Sequence, residues 1–369
     1  MKVLITGGGT GGHIYPAIAI ANKMKNEIKN IDILYVGTKK GMESLIVPNT
    51  GYKFEAIRVR GFKRSLSMDT FRSFKDLTLG LTDAIRIIKS FKPDLIIGTG
   101  GFVCGPLVFI GSLFRIKTVI HEQNVIPGVT NKILSKFVDR ILISFEESKG
   151  YFKKSDKIII SGNPVREDFK HLNKKKYRED LGIDGEKLVV LAFGGSRGAE
   201  KINEAMIDVM TYYNGNSDIQ IIHVTGESHY NNIMWRLKNS ITHLFSNIVV
   251  KPYIHDMAKY MGACDLVICR SGAITLAEIT TIGLPSILIP SPHVTNNHQE
   301  YNARVLEKNG AAILLTETNL SGKNIVNLLN KIMKNKEELR SMGEKSKEIA
   351  KPNATECIYN SIMELMASK

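Results

Sequence analysis

Val3-Leu4-Ile5-Thr6-Gly7-Gly8-Gly9-Thr10-Gly11-Gly12-His13 is an apolar strand that runs straight into glycines and then into a helical pattern. A strand that enters a helix through glycines presents unpaired backbone N–H groups at the helix N-terminus, which is a ready anion site. The same grammar recurs in mid-chain, where Leu188-Val189-Val190-Leu191-Ala192-Phe193 meets Gly194-Gly195-Ser196-Arg197-Gly198-Ala199. Two such openings predict an α/β fold of two parallel-sheet domains, each with helices on both faces of its sheet.

Outward from these two points the alternation holds. Strands are expected at 2–6, 32–37, 94–98, 117–121, 140–144 and 157–160, with helices at 14–26, 70–91 and 127–136. The second half repeats the pattern with strands at 187–193, 219–224, 247–250, 265–269, 286–289 and 312–315. Helical patterns lie between and beyond them, and a last one covers 353–367 after Pro352. Gly162-Asn163-Pro164-Val165 breaks any regular element and marks the boundary between domains 1–163 and 164–352.

A chain of 369 residues exceeds what one core usually organises. Its net charge of +14 is lopsided, because residues 1–163 carry 25 Lys and Arg against 13 Asp and Glu. A basic N-terminal half suits an anionic membrane surface or an acidic substrate. One Trp and no basic–aromatic RNA motif argue against nucleic acid. Four scattered cysteines fit a reduced compartment without structural zinc, and the early break at Gly7 leaves no room for a signal peptide. The charge-free stretch 95–114 is long enough to span a bilayer, but its glycines and Pro106 read as strand, turn and helix.

The motifs narrow the chemistry. Gly7-x-Gly9-x-x-Gly12 fits a dinucleotide fingerprint, yet the second strand ends Tyr35-Val36-Gly37-Thr38-Lys39-Lys40 without the ribose-binding acid. Neither loop continues into Gly-Lys-Ser/Thr, which excludes a Walker loop. His13, at the mouth of a helix, can take a proton from an attacking hydroxyl. His121-Glu122-Gln123-Asn124 closes an apolar strand, at the carboxyl end where ligands of open sheets collect. In Asp265-Leu266-Val267-Ile268-Cys269-Arg270-Ser271-Gly272-Ala273-Ile274-Thr275-Leu276-Ala277-Glu278, a strand turns into a helix whose N-terminus can hold phosphate. Glu278, in that helix, can accept both hydroxyls of a ribose. Asn296-Asn297-His298-Gln299 supplies amides for sugar hydroxyls, and His293 and His298 are too isolated to argue for a metal. Together these features suit an enzyme that grips a diphosphate donor.

The ordered set Gly-Gly-Gly-Thr-Gly-Gly-His, His-Glu-Gln-Asn, Gly-Asn-Pro-Val-Arg, Gly-Gly-Ser-Arg-Gly-Ala, Arg-Ser-Gly-Ala-Ile-Thr-Leu-Ala-Glu and His-Gln-x-x-Asn-Ala resembles the MurG family over essentially the whole chain. The resemblance implies a GT-B type glycosyltransferase, with two Rossmann-like domains facing a cleft and the final helix packing back on the N-terminal domain. It implies inverting transfer of GlcNAc from UDP-GlcNAc to the C4 hydroxyl of MurNAc in undecaprenyl-diphospho-MurNAc-pentapeptide, in peptidoglycan synthesis and so in cell shape and division. It places Thr10, Gly11, Gly12 and Asn124 near the donor sugar, and Arg166 and Ser196 near the diphosphate. The backbone of Ile254 would read uracil. Ala273, Ile274, Thr275, Leu276, Ala277 and Glu278 would form the nucleotide loop and helix, with Glu278 on the ribose, and Gln299 would contact GlcNAc. His13 is the implied base and Glu122 the reserve. No cofactor and no metal are implied.

The lipid acceptor implies peripheral binding at the cytoplasmic face of the membrane, through a basic, apolar-interleaved segment, 53–92. It holds Lys53, Arg58, Arg60, Lys63, Arg64, Arg72, Lys75, Arg86, Lys89 and Lys92 among Phe62, Phe71, Phe74, Leu77, Leu79 and Leu81. The other enzymatic readings open at this point are a synthase that transfers a sugar from a UDP-sugar to diacylglycerol, and a sugar-nucleotide epimerase.

Overall fold

The computed structural model describes residues 1–60, 68–153, 155–183 and 185–368. The chain divides into two compact units, the first made of Met1–Val165 with Lys351–Lys369 and the second of Arg166–Ala350.

The first unit is built on a seven-stranded sheet. Its strands are β1 (Lys2–Thr6), β2 (Asp32–Thr38), β3 (Lys53–Ile57), β4 (Leu95–Gly98), β5 (Lys117–Glu122), β6 (Arg140–Ile143) and β7 (Ile158–Ile160). They pair in parallel in the order β3-β2-β1-β4-β5-β6-β7. Central strands such as β1 and β4 are unbroken apolar runs because helices cover both faces. β3 is the strand the sequence did not announce. It is an edge strand in which Lys53 and Glu55 alternate with Phe54 and Ala56, so it lacks the continuous apolar run of the central strands.

The second unit carries six parallel strands: β8 (Leu188–Phe193), β9 (Ile219–Val224), β10 (Ile248–Lys251), β11 (Leu266–Cys269), β12 (Ser286–Leu288) and β13 (Ala312–Leu314). Their order is β10-β9-β8-β11-β12-β13, so both units are doubly wound α/β sheets, as the alternation predicts.

The last helix, Ala354–Ala367, belongs to the first unit, where it lies on the helix Gly11–Glu27. Ile358, Ile362 and Leu365 enter the same core as Val3 and Ile5. Burying each is worth about 1.5–3 kcal/mol. Arg140 fastens the helix by donating from Nη1 to the Ser361 carbonyl at 2.5 Å. The charge-free stretch resolves into β4, a turn and the helix Cys104–Leu113, which takes in Pro106 in its first turn. Among the described residues no helix is long and apolar enough to cross a membrane.

Candidate active site

In the second unit the chemistry gathers beyond the carboxyl ends of the strands, where a parallel sheet collects ligands. β11 ends at Cys269, and Arg270 anchors the exit by donating to the carbonyls of Ile289 and Pro290 and pairing with Glu317. Ser271 donates from Oγ to the Gln299 carbonyl at 2.8 Å, which ties this loop to the start of the helix His298–Lys308. The helix Ala273–Ile282 then begins at Gly272 with no side-chain cap and no acid in its first turn. Its positive end is therefore not neutralised by its own residues.

Glu278 lies on that helix with its side chain 12% exposed, and its Oε1 is 3.4 Å from Arg166 Nε. Burial pushes the Glu278 carboxyl up to about 7, against the opposing pull of the Arg166 guanidinium. Arg166 is half-exposed, stacks over the Phe169 ring and also reaches Asp168 at 3.7 Å. Gln299 accepts from the Ser291 N–H through Oε1 at 2.9 Å, which fixes the orientation of its amide. Ser196 lies in the turn after β8, between Gly195 and Gly198, both at positive φ. Ile254 is buried after β10, and neither its N–H nor its carbonyl takes a partner among the described residues. Ser196, Ile254, Ala273–Glu278 and Gln299 thus all follow carboxyl ends of strands in one unit, and Arg166 pairs directly with Glu278.

In the first unit the glycine turn after β1 departs from the expected anion cradle. Gly8 N–H donates to the Gly100 carbonyl at 3.2 Å, and Gly9 N–H donates to Glu43 Oε2 at 3.1 Å. A carboxylate lies under the turn, and two of its amides face inward. The N–H groups of Thr10, Gly11 and Gly12, at the mouth of the helix Gly11–Glu27, donate to no group among the described residues. His13 Nδ1 lies 2.9 Å from the Gly8 carbonyl. Its other edge passes over Gly100, where a Cβ would come within 2.7 Å of the ring; Gly100 has φ +114, so the position suits glycine on both counts.

The quartet at the end of β5 divides by role. Glu122 is 2% exposed and accepts four hydrogen bonds. Oε1 takes the Asn124 N–H and Nδ2, and Oε2 takes the Gly128 N–H and Asn131 Nδ2. Its carboxylate organises the loop that carries Asn124. His121 is fully buried, and Nε2–H donates to the Gly162 carbonyl at 2.9 Å. Burial pushes its titration down to about 4, so it is neutral. Asn163 Nδ2 donates to the Gln123 carbonyl, and the quartet thereby holds the segment that leaves the unit.

Sequence reasoning missed Glu43, which lies under the first glycine turn although it is 34 residues from Gly9 in sequence. The signal was present in the glycines: a Cβ at Gly8, Gly37 or Gly41 would each come within 2.6 Å of Glu43 atoms. It also missed an exposed apolar surface of Leu113, Phe114, Val129, Ile133 and Phe137, which lies outside 53–92. Within that segment, Arg58 pairs with Asp83 and Arg60 with Asp76. Phe62, Lys63 and Arg64 lie outside the described residues, as do the side chains of Phe71, Arg72, Phe74 and Lys75.

The comparisons with known proteins agree over the whole length. A model of the glycosyltransferase family 28 N-terminal domain matches residues 3–143, and one of the family 28 C-terminal domain matches residues 189–358. A UDP-N-acetylglucosamine--N-acetylmuramyl-(pentapeptide) pyrophosphoryl-undecaprenol N-acetylglucosamine transferase from Acetivibrio thermocellus is 47% identical over 369 residues, covering 100% of this chain and 99% of the relative. A relative of the same name from Desulforamulus reducens is 43% identical, with 99% of each chain covered. The crystal structure of Acinetobacter baumannii MurG matches with a TM-score of 0.79 at 28% identity, over 98% of this chain and 99% of that one. A UDP-GlcNAc 2-epimerase from Neisseria meningitidis, at 14% identity and a TM-score of 0.69 over 99% of this chain and 100% of that one, shares the fold alone. The chain is an enzyme that belongs to glycosyltransferase family 28, within the MurG group of N-acetylglucosamine transferases.

Proposed function

We propose that this chain moves GlcNAc from UDP-GlcNAc to the C4 hydroxyl of MurNAc in undecaprenyl-diphospho-MurNAc-pentapeptide, with inversion at the anomeric carbon. In a growing cell this step supplies the disaccharide lipid from which the wall is built, and so bears on shape and division. The observation that carries the reading is the uncapped helix Ala273–Ile282 with Glu278 in it and Arg166 alongside. An unneutralised helix N-terminus and a guanidinium suit a diphosphate, and a carboxylate one turn further in suits ribose hydroxyls. The acceptor named for the relatives is a pyrophosphoryl lipid, which weighs against diacylglycerol.

The second unit is the donor domain in this reading. Ile254 meets uracil, Arg166, Ser196 and the start of the helix meet the diphosphate, and Gln299 donates to the sugar. UDP leaves against the helix dipole and Arg166. The first unit is the acceptor domain. Thr10, Gly11, Gly12 and Asn124 line the sugar side, and His13 removes the hydroxyl proton. The four donors already bound to Glu122 favour His13 over it as base. The exposed apolar residues Leu113, Phe114, Ile133 and Phe137, near the cationic Arg115 and Lys136, support peripheral binding to an anionic leaflet at the cytoplasmic face.

Labelled UDP-GlcNAc incubated with a lipid I analogue should yield labelled disaccharide lipid. Transfer to diacylglycerol, or epimerised UDP-sugar with no acceptor consumed, would overturn the assignment. His13→Ala should lower kcat by about 10²–10⁴-fold, the usual worth of a general base; turnover near wild type would remove His13 from that role.

A further inference from the structure

We propose that Glu43 acts on His13 through the Gly8–Gly9 peptide group, as a positioning residue that fixes which ring nitrogen carries the proton; this rests on the reading of His13 as the base.

The chain of contacts is short. Glu43 Oε2 accepts the Gly9 N–H at 3.1 Å, and the carbonyl of that same peptide unit, Gly8 O, lies 2.9 Å from His13 Nδ1. A carbonyl oxygen only accepts, so the second contact requires a proton on Nδ1. The lone pair is then on Nε2, the nitrogen whose edge passes over the bare backbone of Gly100. That is the nitrogen able to receive a hydroxyl proton. Thr10 Oγ1, at 3.4 Å from Nδ1, is the longer of the two contacts to this nitrogen, and the Gly8 carbonyl dominates.

The carboxylate does more than fill space. A negative charge on the N–H side of an amide draws the group toward its dipolar form and makes the carbonyl a stronger acceptor. As Nε2 takes a proton, the imidazolium gains a partner that is tied to a buried charge. Hydrolase triads achieve this with a carboxylate directly on the ring; here one peptide unit intervenes.

The surroundings of Glu43 fit this role. The side chain is fully buried, and among the described residues no Lys, Arg or His pairs with it. Oε1 is occupied by the N–H of Thr38 at 2.9 Å and its hydroxyl at 2.7 Å, which fasten the carboxylate to the end of β2. Among the described residues Oε2 takes only the Gly9 N–H. A buried carboxyl group without a cation is costly unless it is held by donors, and here three donors hold it. Glycines at 8, 37 and 41 keep the room it occupies.

The test uses the full chain and long-range 1H–15N correlation of the histidine rings, with His13 assigned by its loss in H13Q. In the wild type, the neutral His13 ring should be the Nδ1–H tautomer. As that ring takes its proton, the Gly9 amide proton should move downfield in step with it. A ring in the Nε2–H form, or a Gly9 amide indifferent to its titration, overturns the proposal without any variant having to fold. Glu43→Gln keeps the shape and removes the charge. Where it folds, kcat should fall about 10- to 100-fold with KM for UDP-GlcNAc within twofold, and His13 should become a tautomer mixture. An unchanged tautomer, or a loss explained wholly by unfolded protein, counts against the relay. If H13A retains turnover while the wild-type tautomer is locked as described, the relay stands as geometry and the base assignment is what has failed.

Discussion

Glu278 is an acid placed where its charge is opposed by burial and assisted by one half-exposed guanidinium. Its titration rises from 4.5 to about 7, so folding takes up a proton between those values. The group's contribution to stability is therefore complete below pH 4.5 and is lost as pH rises through about 7. Glu278→Gln should melt a few degrees above wild type at pH 8 and level with it at pH 5, as read by calorimetry. The same variant should bind UDP-GlcNAc at least tenfold more weakly at pH 8, since hydrogen bonds to a charged group are worth about 1.5–3 kcal/mol. A variant that loses stability at pH 8, or binds donor unchanged, would contradict the reading of Glu278. At this scale, legibility followed distance along the chain. Glu278 follows its glycine turn by six residues and its place was evident from the strand–turn–helix grammar. Glu43 approaches its turn only because β2 pairs with β1, and no local pattern carries that information.

The helix Ala273–Ile282 starts without a side-chain cap at the place where the donor diphosphate is proposed to lie. Gly272 occupies the N-cap with φ −66 and ψ 135, a conformation open to any residue, and a Cβ there would meet nothing closer than Thr275 Oγ1 at 3.9 Å. Nothing in the backbone requires glycine. Asp is a far commoner cap and would satisfy an N–H of the first turn, adding a few tenths of a kcal/mol over Gly. It would also put a negative charge where the donor diphosphate is proposed to lie. Gly272→Asp should hold or raise Tm while the Kd for UDP rises about tenfold or more, by titration calorimetry; equal affinity would place the diphosphate elsewhere. The elements themselves were mostly legible, since buried parallel strands are continuous apolar runs and their helices are amphipathic. β3 escaped because it is a five-residue edge strand whose alternation is too short to stand out and which lacks a continuous apolar run. The first glycine turn was found correctly but misread in part, because glycines that admit a ligand and glycines that admit a buried side chain look alike in sequence.

For the whole molecule, the doubled glycine grammar was visible because it repeats, whereas a surface assembled from separate elements was not. Leu113, Ile133 and Phe137 are 57%, 54% and 43% exposed, on or just after the helices Cys104–Leu113 and Val129–Leu134. Phe109 and Phe137 meet edge to face at 5.1 Å, which joins the two elements into one apolar face. Exposed apolar residues gathered in this way mark an interaction surface, and a leaflet rewards them together with cations. Each basic residue near an anionic surface adds about 1 kcal/mol, whereas inserting a large apolar side chain contributes about 1.5–3 kcal/mol at full burial. The apolar residues should therefore decide retention, and the cations should decide lipid preference. A Leu113→Ser, Ile133→Ser, Phe137→Ser variant should lose at least tenfold in partition onto vesicles containing phosphatidylglycerol, in flotation assays at low and high salt. It should keep wild-type kcat on a short-chain, water-soluble acceptor, because none of the three is proposed to touch substrate. Wild-type binding to the same vesicles should weaken as salt rises, because the cations that set lipid preference are screened. Retention of the triple variant at wild-type levels would move the membrane contact off this face, toward the basic segment 53–92.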